Sequence, residues 1–384
     1  MCVGSMDLSA ALWSDLPLEM LEQVLSYLPV SDLCRYRTVC KRWDRLMCDP
    51  EFGSLCAQNA TKREASFIAM RCCTCGMGHE GWCFLDVNAR RWYVVKEDGL
   101  GIRCNFPLYQ NVRMDGGLVC QYDLMSGRII VYNPISQTHR ELPTVPHTNK
   151  YFGEITLVVD NISQSFKIFL SDLHNVINPF KLVYDSVTNE WKTSTSPFPI
   201  RSGSKLLESG VIFQGYLYVY SYSYPQEEYT LLRYSLVRDA WENLDVPWII
   251  AARDADLVVS ANRLFLVAWS KGGGLGFDDG GPSWSFQLSE LKIPDMTREV
   301  LFEMSRADVV ERFETKTSLP KIRAFSFGNS ILFMSKSTGI SAAFDVVTRA
   351  WDWNFPPNPL QYLPDDDCVW VGEQMNLLLP CTLW

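Results

Sequence analysis

Through about the first sixty residues, apolar positions recur three and four apart. Beyond about Ser66 they alternate with polar ones or gather in short aromatic runs closed by Gly, Asn, Asp and Pro. The first pattern is that of helices burying one stripe and the second that of strands, so the chain changes class near residue 62. Asp15 is placed to cap a first helix with Pro17 in its opening turn, and Leu21, Val24, Leu25 and Leu28 follow at i, i+3, i+4 and i+7 until Pro29 ends it. Ser31 or Asp32 can cap a second stretch carrying Leu33 and Tyr36. A third has Val39, Cys40, Trp43, Leu46 and Met47 on its apolar side, and Asp49-Pro50 breaks the run before a short helix around Phe52 to Cys56. So few short helices bury their stripes poorly alone, so a partner or the rest of the chain is expected to cover the remainder.

The second part repeats. An aromatic or aliphatic residue, then Asp, then five residues, then Trp occurs at Leu85-Asp86 to Trp92, Tyr184-Asp185 to Trp191 and Phe344-Asp345 to Trp351, and with Ser for Asp at Tyr234-Ser235 to Trp241. Weaker copies are Tyr132-Asn133 to His139 and Leu291-Lys292 to Arg298. The second residues of the copies lie 47, 52, 50, 57 and 53 apart. A period near fifty with four strands per unit predicts a β-propeller, in which the Asp stabilises a hairpin turn and the Trp packs between neighbouring blades. Gln214-Gly215 and Gly328-Asn329 read as turns between two further strands of a blade. Val369 to Val371 and Met375 to Leu379, around Gly372-Glu373, read as the first two strands of a blade whose outer hairpin is Trp82 to Val95. Such a closure removes the open sheet edges. Six blades are expected, with a divergent seventh as the alternative.

Composition narrows the function. The 384 residues hold 47% hydrophobic and 21% charged residues, which excludes wholesale disorder. With 35 Lys plus Arg against 44 Asp plus Glu the net charge is −9, which argues against a nucleic-acid partner. No run reaches the roughly 18–20 apolar residues that span a bilayer, and the opening residues lack the basic and apolar regions of an export signal. An intracellular protein, in cytoplasm or nucleus, is expected, and the 13 scattered cysteines are read as reduced thiols. Four histidines leave little material for acid–base catalysis.

The segment Leu12 to Met47 resembles the F-box motif in Leu16-Pro17, Leu28-Pro29, Asp32-Leu33 and Val39-Cys40-Lys41-Arg42-Trp43. The remainder resembles the propeller of plant F-box/kelch-repeat proteins, in Gly81 to Tyr93 and in the Tyr132-Asn133-Pro134 turn, although most Gly-Gly pairs of kelch repeats are missing and Gly116-Gly117 is the best copy. The resemblance implies a small all-α F-box domain over residues 12–59 and an all-β, kelch-like propeller over 66–384. It implies a substrate receptor of an SCF-type cullin-RING ubiquitin ligase, not itself an enzyme, docked on a Skp-family adaptor and holding a protein target on its propeller. By carry-over, Leu16, Pro17, Leu21, Leu25, Leu28, Pro29, Leu33, Val39 and Trp43 form the adaptor interface or its immediate support. Arg35, Arg37, Lys41, Arg42 and Arg45 either meet an acidic adaptor or form a solvated helix face. Two other classes stand beside this reading: an F-box/propeller scaffold or transcriptional co-regulator acting without ubiquitin transfer, and an enzyme carried on the propeller.

Other features are read structurally. Cys72, Cys73, Cys75, His79 and Cys83 lack the spacing of common zinc modules and are taken as loop thiols, so no metal or cofactor is expected. Lys271 to Pro282 holds no complete GxGxxG and reads as a loop, and Asp365-Asp366-Asp367 reads as a solvated turn. Arg201 and Lys205, in a polar stretch before a blade's first strand, are the candidate target contacts.

Overall fold

The structure is a computed structural model. It describes residues 16–59, 67–73, 81–96, 110–146, 152–193, 204–246, 252–271, 284–358 and 369–374, less 29–31, 34–35, 48, 88, 124–126, 134–137, 161–162, 173–179, 207–209, 224–227, 239, 245, 294, 316–319 and 336. Among the described residues three helices, α1 (Leu18–Leu25), α2 (Lys41–Met47) and α3 (Pro50–Asn59), precede the first strand. Pro17 is the N-cap of α1 rather than part of its first turn, and it contributes no side-chain cap. Asp15 lies outside the described residues. Pro50 opens α3 rather than interrupting a helix: its missing N–H is one the first turn leaves unpaired anyway, and Asp49 Oδ1 accepts from Glu51 N at 2.8 Å as the cap.

The described strands of the second part form six antiparallel sheets. In order round the molecule the first is β25 (Val369–Gln374), β1 (Phe67–Cys73), β2 (Gly81–Asp86) and β3 (Arg91–Lys96). The second is β4 (Gln110–Asp115), β5 (Leu118–Asp123), β6 (Ile129–Asn133) and β7 (Thr138–Glu141). The third is β8 (Phe152–Asp160), β9 (Ser165–Asp172), β10 (Phe180–Asp185) and β11 (Glu190–Thr193). The fourth has β12 (Ser204–Leu206) and β13 (Val211–Phe213) end to end along β14 (Tyr216–Ser223), then β15 (Glu228–Ser235) and β16 (Ala240–Leu244). The fifth is β17 (Ala252–Ser260), β18 (Arg263–Lys271), β19 (Trp284–Lys292) and β20 (Thr297–Ser305). The sixth is β21 (Ile322–Phe327), β22 (Ser330–Ser335), β23 (Ser341–Asp345) and β24 (Trp351–Asp352). First strands of neighbouring sheets meet, β25 on β4, β4 on β8, β13 on β17, β17 on β21 and β21 on β25, while Val158 and Phe169 of the third sheet pack on Leu217 and Val219 of the fourth. The ring is a β-propeller, and no seventh sheet occurs among the described residues.

The six sequence copies fall on the hairpins joining the third and fourth strands. In each, the residue before the Asp position faces the Trp position across the pair: Leu85 and Trp92, Tyr132 and His139, Tyr184 and Trp191, Tyr234 and Trp241, Leu291 and Arg298, Phe344 and Trp351. The turn is held by its first side chain, Asp86 accepting from Ala89 N at 2.8 Å, Asp185 from Val187 N at 2.9 Å and Asp345 from Thr348 N at 2.7 Å, with Ser235 accepting from Arg238 N at 3.1 Å. The indoles reach the preceding sheet: Trp191 Nε1 donates to Pro143 O and Trp92 Nε1 to Pro356 O, both at 2.9 Å. Four residues after the Asp position the backbone is left-handed at Arg90, Asn189, Met296 and Arg349 (φ 49–58°). This bend turns those side chains toward the preceding sheet: Arg90 pairs with Asp352, Asn189 accepts from Arg140 at 2.9 Å, Arg349 pairs with Glu299 at 2.7 Å, and Met296 joins the core with Tyr218.

Four sequence expectations are revised. Gly372-Glu373 is no turn: β25 runs straight through it and pairs along β1, so one strand, not two, completes the first sheet, and residues 375–379 lie outside the described set. Ser204 and Lys205 belong to strand β12 rather than to a connection. Trp191, read as packing between blades, is only half-buried, as are Trp92 and Trp351, whereas Trp241 is buried. A helix, α4 (Arg306–Arg312), joins the fifth and sixth sheets where no helix is expected from the sequence pattern; it opens on a capping box of Ser305 and Asp308. The turn at Gln214-Gly215 is as expected, both residues being left-handed (φ 49° and 79°), and Ala261-Asn262 makes the same bend without glycine (49° and 54°).

Candidate protein-interaction sites

The helical unit closes its own small core. Leu21 and Leu25 from α1, Leu33 from the segment between α1 and α2, Leu46 and Met47 from α2, and Phe52 and Cys56 from α3 are buried together, with Leu28 and Trp43 packed against them. A buried polar clasp ties α1 to α3: Asn59 Nδ2 donates to Ser26 Oγ at 2.7 Å, and that hydroxyl donates to Gln23 O at 2.8 Å. Both groups are satisfied, so the clasp fixes register without a buried unpaired atom.

Outside this core lies a second apolar set. Met20 is 55% exposed, Val24 41% and Tyr27 41%, forming a stripe at i, i+4 and i+7 beside the inward one; Leu18, Tyr36 and Val39 (61%) are exposed as well. Tyr36 meets the edge of Trp43 at 5.5 Å between ring centroids. Of the residues named from sequence, Leu21, Leu25 and Leu33 are therefore interior, Leu16, Leu28 and Trp43 half-buried, Pro17 and Val39 exposed, and Pro29 outside the described residues. Val24, placed on the buried stripe by its spacing, faces outward, as does Val39. Met20 and Tyr27 were missed, although their spacing with Val24 is a helical signal in its own right.

The charge is mixed rather than uniformly basic. Arg37 Nε holds Asp44 Oδ1 at 2.9 Å, and Arg35 lies outside the described residues. Partial burial and then the neighbouring carboxylates of Glu19, Asp49 and Glu51 raise the Glu22 carboxyl above its ordinary value. An acidic corner thus accompanies the exposed Lys41, Arg42 and Arg45.

On the propeller, Lys205 pairs through its backbone with Tyr222, and Arg201 lies outside the described residues. Cys72 and Cys73, expected in a loop, lie instead on strand β1, and Cys83 lies on β2, while Cys75 and His79 are outside the described residues; among those described, no three His, Cys, Asp or Glu side chains converge. No helix among the described residues is long and apolar enough to cross a membrane.

A family profile described as F-box-like matches residues 13–52, the stretch that carries this core and the exposed stripe. The N-terminal unit is an F-box-like domain. Relatives of the whole chain are plant proteins that the F-box reading anticipates. The chain is 25% identical to Protein UNUSUAL FLORAL ORGANS of Arabidopsis thaliana over 91% of its own length and 79% of that protein. It is 25% identical to F-box only protein 6 of the same plant over 69% of its length, spanning about half (54%) of that relative. An Arabidopsis thaliana F-box/kelch-repeat protein is 25% identical over 61% of the chain and 66% of the relative. Among solved structures the chain is similar to one from a nidogen/laminin complex, with 10% identity, a TM-score of 0.44, and 80% and 97% of the two chains covered. The F-box-like domain and the β-propeller that follows it are the two parts of this molecule.

Proposed function

We propose that the chain is the substrate-receptor subunit of a cullin-RING ubiquitin ligase, its F-box-like domain docking on a Skp-family adaptor and its propeller holding a protein target. The observation that carries this reading is the outward stripe of Met20, Val24 and Tyr27, with Leu18, Tyr36 and Val39 nearby, on a domain already packed inside. Exposed apolar groups gathered on one small unit mark a protein-binding surface, and such anchors supply most of an interface's energy. On this reading Leu21, Leu25 and Leu33 support the docking helix from within, and the expected interface residues are redistributed between contact and support. The chain performs no bond change: tethering a target beside a charged conjugating enzyme raises the effective concentration of a target lysine.

The test is co-purification of the full chain with a Skp-family adaptor and cullin, wild type against Val24→Asp. Placing a charge in the stripe should cut capture of both at least tenfold with an unchanged melting curve. Undiminished capture would sink the interface assignment. Adaptor capture without cullin would favour the scaffold reading instead.

A further inference from the structure

The chain passes from the helical unit to the propeller over a short bridge whose two ends are fixed. At the helical end Asn59, the last residue of α3, holds Oγ of Ser26, the C-cap of α1, at 2.7 Å. The chain therefore leaves this unit beside the close of α1, next to Tyr27 and within a turn of Val24. At the propeller end Phe67 opens β1, eight steps after Asn59. At about 3.5 Å per residue the bridge spans at most about 28 Å.

Strand β25 brings a second segment to the same place. Its last residue, Gln374, sits opposite Ile68, and because β25 runs antiparallel to β1 the residues after Gln374 continue toward the side from which the bridge arrives. Ten of them follow, Met375 to Trp384, outside the described residues, in the order Met-Asn-Leu-Leu-Leu-Pro-Cys-Thr-Leu-Trp. They carry no charged side chain, and seven of the ten are Met, Leu, Cys or Trp. Fully extended they reach about 35 Å. The step across from β25 to β1 uses about 5 Å, so about 33 Å suffices to retrace even the longest bridge. The segment reaches Tyr27 whatever course the bridge takes.

That destination is apolar and open, since Met20, Val24 and Tyr27 form the exposed stripe of α1. Bare apolar surface of this kind invites association, and an uncharged segment covers it without burying a charge. We infer that Met375 to Trp384 folds back along the bridge and covers this stripe with Leu377, Leu378, Leu379 and Trp384 when no adaptor holds it. The contact rests on exposure, composition and reach; its consequence, a receptor that masks its own docking surface, rests on the receptor reading. A tether of this length holds the segment at an effective concentration on the order of 1 mM. Even a free-peptide Kd of about 0.1 mM then keeps the stripe covered about nine-tenths of the time and weakens adaptor binding about tenfold.

Photo-crosslinking in the full chain tests this. A benzophenone amino acid replaces Met20, and illumination with no adaptor present should join it to peptides from residues 375–384 of the same chain. Leu378→Asp together with Leu379→Asp should cut that yield at least about tenfold and tighten adaptor binding about tenfold. No crosslink, crosslinks to the propeller or to a second chain, or a yield that the two substitutions leave unchanged would overturn the inference. The crosslinking needs no adaptor, so a chain that captures none would refute the receptor reading while the self-contact is still read from its own yield.

Discussion

Asp115 ends β4, and its Oδ2 accepts from Val159 N of β8 at 2.5 Å, joining the second sheet to the third. Burial pushes this carboxyl from 3.8 up to about 7, against the opposing pull of the Val159 and Gly116 N–H groups. Because the folded chain then holds a proton that the unfolded chain has released, stability must fall as pH rises. The contribution is fully present below about pH 4 and is lost as pH rises through about 7. Three units at about 1.4 kcal/mol each make the loss about 4 kcal/mol. Asp115→Asn removes the titration while keeping an oxygen that accepts from Val159. In urea unfolding at pH 5, 6, 7 and 8, wild type should lose about 2–4 kcal/mol more than the variant across that range, and the variant should be the more stable at pH 8. Parallel pH profiles separated by a constant offset would refute the reasoning.

Two further substitutions test the packing. Trp191→Ala removes the indole that faces Tyr184 at 5.2 Å and donates to Pro143; because the ring is only half-buried, the loss should be about 2 kcal/mol by urea unfolding, below the cost of a core indole, and Trp191→Phe should cost less. Gly210 lies between the two halves of the first strand in the fourth sheet, where a Cβ would meet Leu217 Cδ1 at 2.6 Å and Tyr218 O at 2.9 Å. Gly210→Ala should therefore destabilise by about 1–3 kcal/mol, and an unchanged urea midpoint would show that β14 can yield.

The propeller was legible because its signal is repeated: even the copy at Lys292 to Arg298, which lacks both Asp and Trp, keeps the facing pair and the left-handed fourth residue. Arg298 occupies the Trp position and donates to Ser289 Oγ at 2.8 Å, so geometry survived where chemistry changed. The F-box segment was legible as a motif, but its spacing alone could not say which of two adjacent apolar stripes turns inward. Leu25 and Val24 are neighbours in sequence, and it is the packing of Leu25 with Leu46, Met47, Phe52 and Cys56 that separates them. The straight run of β25 was hidden by Gly372, which reads as a turn until its pairing with Met70 is seen. Helix α4 was hidden by its length: seven residues give too little periodicity, and only the Ser305 capping box announces it.

The first sheet takes three strands from before Lys96 and its remaining strand from Val369–Gln374. During synthesis roughly 270 residues must follow Lys96 before that strand is made, which takes about 15–55 s at about 5–20 residues per second. The helices of the F-box-like domain emerge first, while β1 waits with one edge unpaired. Over that interval the nascent chain is an open arc offering a strand edge to any passing chain. A premature stop after Asp352 and before Val369 would thus spare the strands of the sixth sheet and leave its defect at the first sheet, beside the segment that leads to the F-box-like domain, far from the lesion in sequence.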